Sequence, residues 1–179
     1  GSSVSLWDGY AVVGDSGGNS VHVFRLEIGN FKYLQTLKPS DFGESNSSHF
    51  GNSVEIKDGY IVIGSQYDNT ASLYAGCVFV YRLELKKFKP LQQIVNPEPH
   101  SNDYFGSSVA IHDGFIVTGS GFDNNSSPED IGLVYIFVLQ GQKFRFLQKI
   151  EPRVISQYLY FGGSVAIHDK YLVISHKHN

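Results

Sequence analysis

The sequence predicts an all-β protein built from repeats, of the propeller or solenoid kind. One stretch of sequence occurs four times, and the spacings between its opening glycines are 50, 55 and 56 residues. A period in this range is typical of propellers and solenoids. The apolar runs are dominated by Val, Ile, Tyr and Phe, and none shows a sustained helical period. The opening glycines are Gly1, Gly51, Gly106 and Gly162.

Each repeat opens with two predicted strands that are joined by a tight turn. In the second repeat the turn is Asp58-Gly59, between two short apolar runs. Asp-Gly favours a two-residue hairpin turn in which both residues have positive φ. The fourth repeat has Asp169-Lys170 at this place. We therefore expect Lys170 to adopt the strained left-handed region and this turn to be weaker than the others.

Two further predicted strands complete each repeat. The third alternates aromatic and aliphatic residues, and the fourth follows the pattern Phe-x-x-Leu-Gln-x-Leu/Ile. Both admit Arg or Lys, which suits a blade whose inner strands lie near an axis and whose outer strand meets water. The glutamine of the fourth strand is expected to satisfy backbone groups between blades. These glutamines are Gln35, Gln92 and Gln148.

The chain is thus predicted to form a single domain with three repeats of four strands and a fourth of two. The repeats span approximately 1–49, 50–104, 105–160 and 161–179. An open arc of blades exposes apolar faces and strand edges at its ends, and such surfaces promote association. Since the chain also begins inside a repeat, we expect it to belong to a longer protein or to meet further copies of itself.

The repeated motifs resemble a known family. Phe-Gly-x-Ser-Val-Ala-Ile, a Val-x-Gly strand end, a loop and Gly-x-Val-Tyr/Phe-Val/Ile-Tyr/Phe together are similar to the FG-GAP repeat, most clearly over 102–150. The resemblance implies a β-propeller of four-stranded blades, with about three and a half repeats present and the ring incomplete. Propellers of this kind occur in integrin α-subunit heads and in many extracellular repeat proteins.

One departure from that family concerns calcium. Calcium-binding members carry an Asp-x-Asp-x-Asp-Gly type of loop between the first two strands. Here the connection is only Asp58-Gly59 or Asp113-Gly114, which supplies too few oxygens for the six to eight that Ca²⁺ takes. We therefore expect neither a calcium site nor any other cofactor or metal.

Composition narrows the classes of partner. The formal net charge of -3 gives no electrostatic case for nucleic acid. No apolar run is long enough to insert into a membrane as a helix. Cys77 is the single cysteine, which excludes an internal disulfide and a multi-cysteine zinc site. It lies in an apolar run, where a buried and unreactive thiol is expected.

Two groups of residues deserve comparison with known kinds of site. Gly14-Asp15-Ser16-Gly17-Gly18 matches the nucleophile stretch of trypsin-like proteases, but no histidine precedes it and the repeat register places Ser16 in a variable loop. His112 and His168 occupy equivalent positions before the hairpin turn, where Trp7 and Lys57 stand in other repeats. We expect the two imidazoles to lie on neighbouring blades, and we interpret them as solvated turn residues because a metal needs further ligands.

These observations favour a noncatalytic module for protein interaction, cell adhesion or structural assembly, located outside the cell or on its surface. Three glycosylation sequons agree with a glycoprotein. The alternative is a carbohydrate-binding or hydrolase-associated propeller, in which loop aromatics on one face stack on sugars. The sequons are at Asn46, Asn124 and Asn125, and the loop aromatics are Tyr67, Tyr74, Tyr104 and Phe122. The expected partner is a protein or a further copy of the chain, with a glycan as the alternative.

Overall fold

The computed structural model describes residues 1–44, 48–121, 131–153 and 160–176. Within them the chain forms three four-stranded sheets and one two-stranded sheet. Blade 1 contains β1 (Ser3–Trp7), β2 (Tyr10–Asp15), β3 (Ser20–Glu27) and β4 (Asn30–Leu37). Blade 2 contains β5 (Ser53–Lys57), β6 (Tyr60–Ser65), β7 (Cys77–Glu84) and β8 (Lys87–Val95). Blade 3 contains β9 (Phe105–His112), β10 (Phe115–Ser120), β11 (Leu133–Gln140) and β12 (Lys143–Ile150), and blade 4 contains β13 (Val165–His168) and β14 (Tyr171–Ile174).

Every blade is an antiparallel meander in which each strand pairs with the next along the chain. This order is the one that short hairpin connections favour. One short 3₁₀ turn, Pro39–Phe42, follows β4. The predicted all-β propeller is confirmed, including the division of the strands into three sets of four and one set of two.

The inner hairpin turns have the conformation that their sequence predicts, with one exception. Asp58 and Gly59 have φ of 51° and 79°, and the other two Asp-Gly turns repeat this pair of positive values. In the fourth repeat Asp169 has φ of 51°, but Lys170 has no positive φ. The expectation for Lys170 was therefore wrong: the turn takes a different shape, in which Asp169 alone has a positive φ and Lys170 avoids the strain of that conformation.

The hydrophobic core lies between the blades, in one cluster for each pair of neighbours. Blades 1 and 2 enclose the first cluster, blades 2 and 3 the second, and blades 3 and 4 a smaller third one. Val109 and Ile111, in the inner strand β9, lie in the second cluster. Blades 2 and 3 are thus apolar on both faces and pack against a neighbour on each side.

Candidate functional site

The contact between two neighbouring blades, here called the blade joint, is built from the repeat motifs. At the inner strands of the first joint, the backbone N–H groups of Val54 and Ile56 donate to the hydroxyl oxygens of Ser3 and Ser5, at 2.9 and 3.3 Å. Ser53 in turn donates its hydroxyl to the carbonyl oxygen of Gly106 at 3.0 Å in the second joint. The serines of Ser-Val-x-Ile therefore turn toward the following blade, and the aliphatic residues of the same strand turn toward the preceding one.

At the outer strands, a glutamine of one blade binds the edge of the next. The Gln35 amide donates to the Phe88 carbonyl oxygen at 3.0 Å, and its own oxygen accepts the Phe88 N–H at 2.9 Å. Gln92 binds both backbone groups of Phe144 in the same way, at 2.9 and 2.8 Å. The predicted role of these two glutamines is confirmed. We call this pair of hydrogen bonds the glutamine clasp.

An edge-to-face aromatic contact accompanies each clasp. Tyr10 packs on Phe88 with ring centroids 5.4 Å apart, and Tyr60 packs on Phe144 at 5.5 Å. Such pairs contribute about 0.5–1.5 kcal/mol beyond the area that they bury. The two joints between complete blades therefore repeat each other at the outer strands. At the inner strands they differ, because Ile111 N–H donates to the Glu55 carboxylate at 3.0 Å in the second joint, where Ile56 N–H meets a serine hydroxyl in the first.

One face of blade 1 carries the same residues without a neighbour among the described residues. Val4 and Leu6 are 65% and 63% exposed, whereas their repeat equivalents in blade 2, Val54 and Ile56, are 6% and 1% exposed. Phe31 is 47% exposed, whereas Phe88 and Phe144 are each 2% exposed. We call the surface formed by Val4, Leu6 and Phe31 the free face. It is one half of a blade joint.

The structure brings three of the four predicted loop aromatics together. The ring centroid of Tyr67 lies 5.6 Å from that of Tyr74 and 5.2 Å from that of Tyr104, and the rings of Tyr74 and Tyr104 are stacked at 6.4 Å. His49 adds a ring at 4.5 Å from Tyr67, a contact that was not predicted from the sequence. Phe122, the fourth aromatic, lies outside the described residues, as do the sequons at Asn46, Asn124 and Asn125.

Backbone pairing explains why this aromatic cluster forms. The loop before β7 runs beside the connection before β9, where Tyr104 N–H donates to Tyr74 carbonyl oxygen at 3.1 Å and Phe105 N–H donates to Ala75 at 2.9 Å. Tyr74 is exposed and Tyr67 and Tyr104 are half-buried. The cluster therefore fastens the two segments together and also presents an aromatic surface to solvent.

At the opposite edge of the blades, the predicted neighbours His112 and His168 are in contact. Their rings are stacked with centroids 4.8 Å apart, across the joint between blades 3 and 4. Asp169, from the turn after β13, contacts both: its carboxylate oxygens lie 3.2 Å from His112 Nε2 and 3.4 Å from His168 Nδ1. From its sequence Asp169 was predicted only as a turn residue, and its place beside the two histidines as a third donor was not predicted.

Two other predicted features have simple surroundings. Cys77 is fully buried, its thiol donates to the Ile94 carbonyl oxygen at 3.2 Å, and burial raises the pKa of that thiol well above its usual value. A buried thiol with a raised pKa is unreactive.

The hydroxyl of Ser16 lies 2.6 Å from that of Ser2. The described histidines closest to Ser16 in sequence have other partners: His22 binds Thr36, and His49 contacts Tyr67. Within the described residues, no helix has the length and apolar character needed to cross a membrane.

Comparison with known proteins identifies the repeat. The model of the FG-GAP repeat matches residues 34–81 and 90–137, together more than half of the chain. Among solved structures the chain is similar to a europium-containing methanol dehydrogenase, with a TM-score of 0.49 and 10% identity, over 78% of this chain and 23% of that one. None of the curated proteins matches the sequence. Each matched stretch runs from the fourth strand of one blade to the third strand of the next. Because the matches cover more than half of the chain, the chain belongs to the FG-GAP repeat family.

Proposed function

We propose that the chain is a noncatalytic, extracellular or cell-surface module for protein interaction, adhesion or structural assembly, and that the free face of blade 1 is its interaction surface. The single observation that carries the proposal is the exposure of Val4, Leu6 and Phe31 at positions that are buried in the other complete blades. Exposed apolar surface of this kind marks interaction sites. The way such a face packs is visible in the chain itself, because the repeat-equivalent residues Val54, Ile56 and Phe88 form a joint between blades 1 and 2.

The surface that fits this face is the complementary side of another blade of the same kind, and a second copy of the chain supplies one. The complementary half of a joint consists of the second-strand residues that turn toward the following blade, such as Val12 and Val62, which are both fully buried. Their equivalent in blade 4, Val173, is 66% exposed. The surface around Val173 of one copy can therefore pack against Val4 and Leu6 of the next copy. The two apolar surfaces are the two complementary halves of a blade joint.

Such a contact is heterologous, because two different surfaces of the chain meet. Heterologous contacts either close into a ring or continue as an open filament. A propeller arc favours closure, since each joint turns the next blade about the axis. The function in this proposal is thus assembly through a blade-to-blade contact, with no reaction required of the chain.

Light scattering over a range of protein concentrations tests the proposal. We expect the parent chain to associate as its concentration rises, and Leu6→Glu to remain a monomer because a charge would be buried in the joint. Leu85→Glu is the matched control, since Leu85 is fully exposed in an outer turn of blade 2 and lies outside the free face. A parent chain that stays monomeric at high concentration contradicts the proposal, as does equal association of the Leu6→Glu variant.

The alternative function, carbohydrate binding, is favoured by the aromatic cluster of Tyr67, Tyr74 and Tyr104. The exposed ring of Tyr74 and the neighbouring His49 offer a platform on which a sugar ring can stack. A glycan array with the purified chain discriminates between the two functions. Selective binding that Tyr74→Ala abolishes and Leu6→Glu leaves intact would support this alternative, and the absence of selective binding would remove it.

A further inference from the structure

We propose that His112, His168 and Asp169 form a binding site for a first-row transition-metal cation such as Zn²⁺, located where the inner turns of blades 3 and 4 meet. The three side chains come from two blades: His112 ends β9, His168 ends β13, and Asp169 begins the following turn. Their ligand atoms lie within 4.8 Å of one another. Two imidazole nitrogens and one carboxylate oxygen are a donor set that Zn²⁺ prefers.

The distances suit a tetrahedral ion. Zn²⁺ binds imidazole nitrogen and carboxylate oxygen at about 2.0–2.1 Å, which puts two ligand atoms on a tetrahedron about 3.3 Å apart. Asp169 Oδ1 lies 3.2 Å from His112 Nε2, and Asp169 Oδ2 lies 3.4 Å from His168 Nδ1. Since all the ligand atoms lie within 4.8 Å of one another, a small rotation of the side chains brings one oxygen and both nitrogens to the tetrahedral spacing. The side chain of His168 is 76% exposed, so its ring is free to turn toward the ion.

One of the ligands is already held in place. The side chain of His112 is only 15% exposed, because it lies between its own blade and His168. A restrained imidazole loses little freedom when it binds an ion, and preorganisation of this kind raises affinity. Asp169 contacts both histidines and so keeps all three donors on one side of the joint.

The charges around the site favour a cation. The Glu55 carboxylate accepts the backbone N–H of Ile111, the residue before His112, at 3.0 Å. The Asp58 carboxylate accepts the backbone N–H of Asp113 at 3.0 Å, which keeps it at the same edge. Lys57 beside Glu55 and Lys170 beside Asp169 are the opposing charges. A cleft of about 410 Å³, lined by Asp113, Asp169, Lys170 and Tyr171, adjoins the site and leaves room for a water molecule as the fourth ligand.

This site differs in ligand chemistry and location from a calcium loop. Ca²⁺ requires six to eight oxygen atoms, and two of the three donors here are nitrogens. The residues equivalent to the two histidines are Trp7 and Lys57 in the joint between blades 1 and 2, and Lys57 and His112 in the joint between blades 2 and 3. Among these three joints, only the one between blades 3 and 4 has a histidine at both positions, and an ion there would link the end of β9 to the turn after β13.

Titration calorimetry with ZnCl₂ on the tag-free chain, after treatment with EDTA and removal of the chelator, tests the proposal. We expect one ion to bind per chain. Outer-sphere changes at metal sites weaken binding by about 10–100-fold, so the loss of a direct ligand in His112→Gln, His168→Gln or Asp169→Asn should weaken it at least tenfold. His100→Gln is the matched control, because His100 is an exposed histidine in the connection before β9, and it should bind Zn²⁺ like the parent.

A second measurement separates a joint-linking ion from one bound loosely to surface histidines. An ion that binds only the folded chain raises its thermal midpoint. We expect Zn²⁺ to raise the midpoint of the parent and of His100→Gln by more than that of His168→Gln at the same Zn²⁺ concentration, and Ca²⁺ to have no effect on any of them. His168 is exposed, so this variant should fold like the parent. Unaltered Zn²⁺ affinity in His168→Gln, or no stoichiometric binding by the parent, overturns the proposal.

Discussion

The backbones of Gly64 and Gly106 touch across the joint between blades 2 and 3. A Cβ atom added to Gly64 would lie 2.0 Å from the Gly106 carbonyl oxygen. Gly64 ends the Val-x-Gly strand of one repeat, and Gly106 belongs to the Phe-Gly pair that opens the next. The same contact recurs between Gly14 and Gly51 and between Gly119 and Gly162. The two glycine motifs of the repeat are thus the two sides of one close approach.

Gly64→Ala should destabilise the chain. The new methyl group meets backbone, which cannot move aside as a flexible side chain can, and overpacking of this kind typically costs about 1–3 kcal/mol. We expect a clear fall in the urea midpoint. Gly17→Ala is the control, because a Cβ atom there has no neighbour nearer than 3.9 Å. Equal urea midpoints for the two variants would show that the two blades can move apart to accept the methyl group without a loss of stability.

Gln92→Leu tests the glutamine clasp. The change leaves the N–H and C=O groups of Phe144, a residue that is 2% exposed, without the partners that Gln92 provides. Buried backbone groups that lose their hydrogen bonds cost about 1–3 kcal/mol, and the free energy of unfolding should fall by this amount. Gln148→Leu supplies the comparison, since Gln148 is the exposed equivalent in blade 3. A similar loss in both variants would argue against a specific role of the clasp.

The sequence was sufficient to predict what depends on a single repeat. Strand order, the Asp-Gly turns and the role of Gln35 and Gln92 all follow from local pattern and from the need of buried backbone groups for partners. Contacts between repeats were less accessible, because they depend on how adjacent blades are staggered. Tyr104 meets Tyr74 only because two distant segments pair side by side, and Asp169 reaches His112 only across a joint. The turn at Lys170 was predicted wrongly because its conformation was transferred from Asp-Gly turns.

Val109→Asp tests the assignment of the inner strand. Val109 is 8% exposed in the second core cluster, and an unpaired charge there should cost about 3 kcal/mol or more. The variant should unfold at a much lower urea concentration than the parent. Val4→Asp makes the same chemical change at the repeat-equivalent position on the free face, where Val4 is 65% exposed. In dilute solution we expect Val4→Asp to lower the free energy of unfolding only slightly. A Val109→Asp variant as stable as Val4→Asp would refute the burial of this strand.

Glu55 should make stability depend on pH. Burial is the main reason that the pKa of Glu55 lies above its usual value of 4.5, although the N–H of Ile111, which donates to this carboxylate, partly opposes the shift. Because the folded chain then holds this proton more tightly than the unfolded chain, stability falls as pH rises from 4.5 through the pKa of the folded state. Glu55→Gln removes the titrating group and keeps an oxygen for Ile111. In buffer with EDTA, the urea midpoint of the parent should therefore decline relative to that of Glu55→Gln between about pH 4 and pH 7. A constant difference over this range, or a relative gain by the parent, would mean that burial does not govern this carboxyl group.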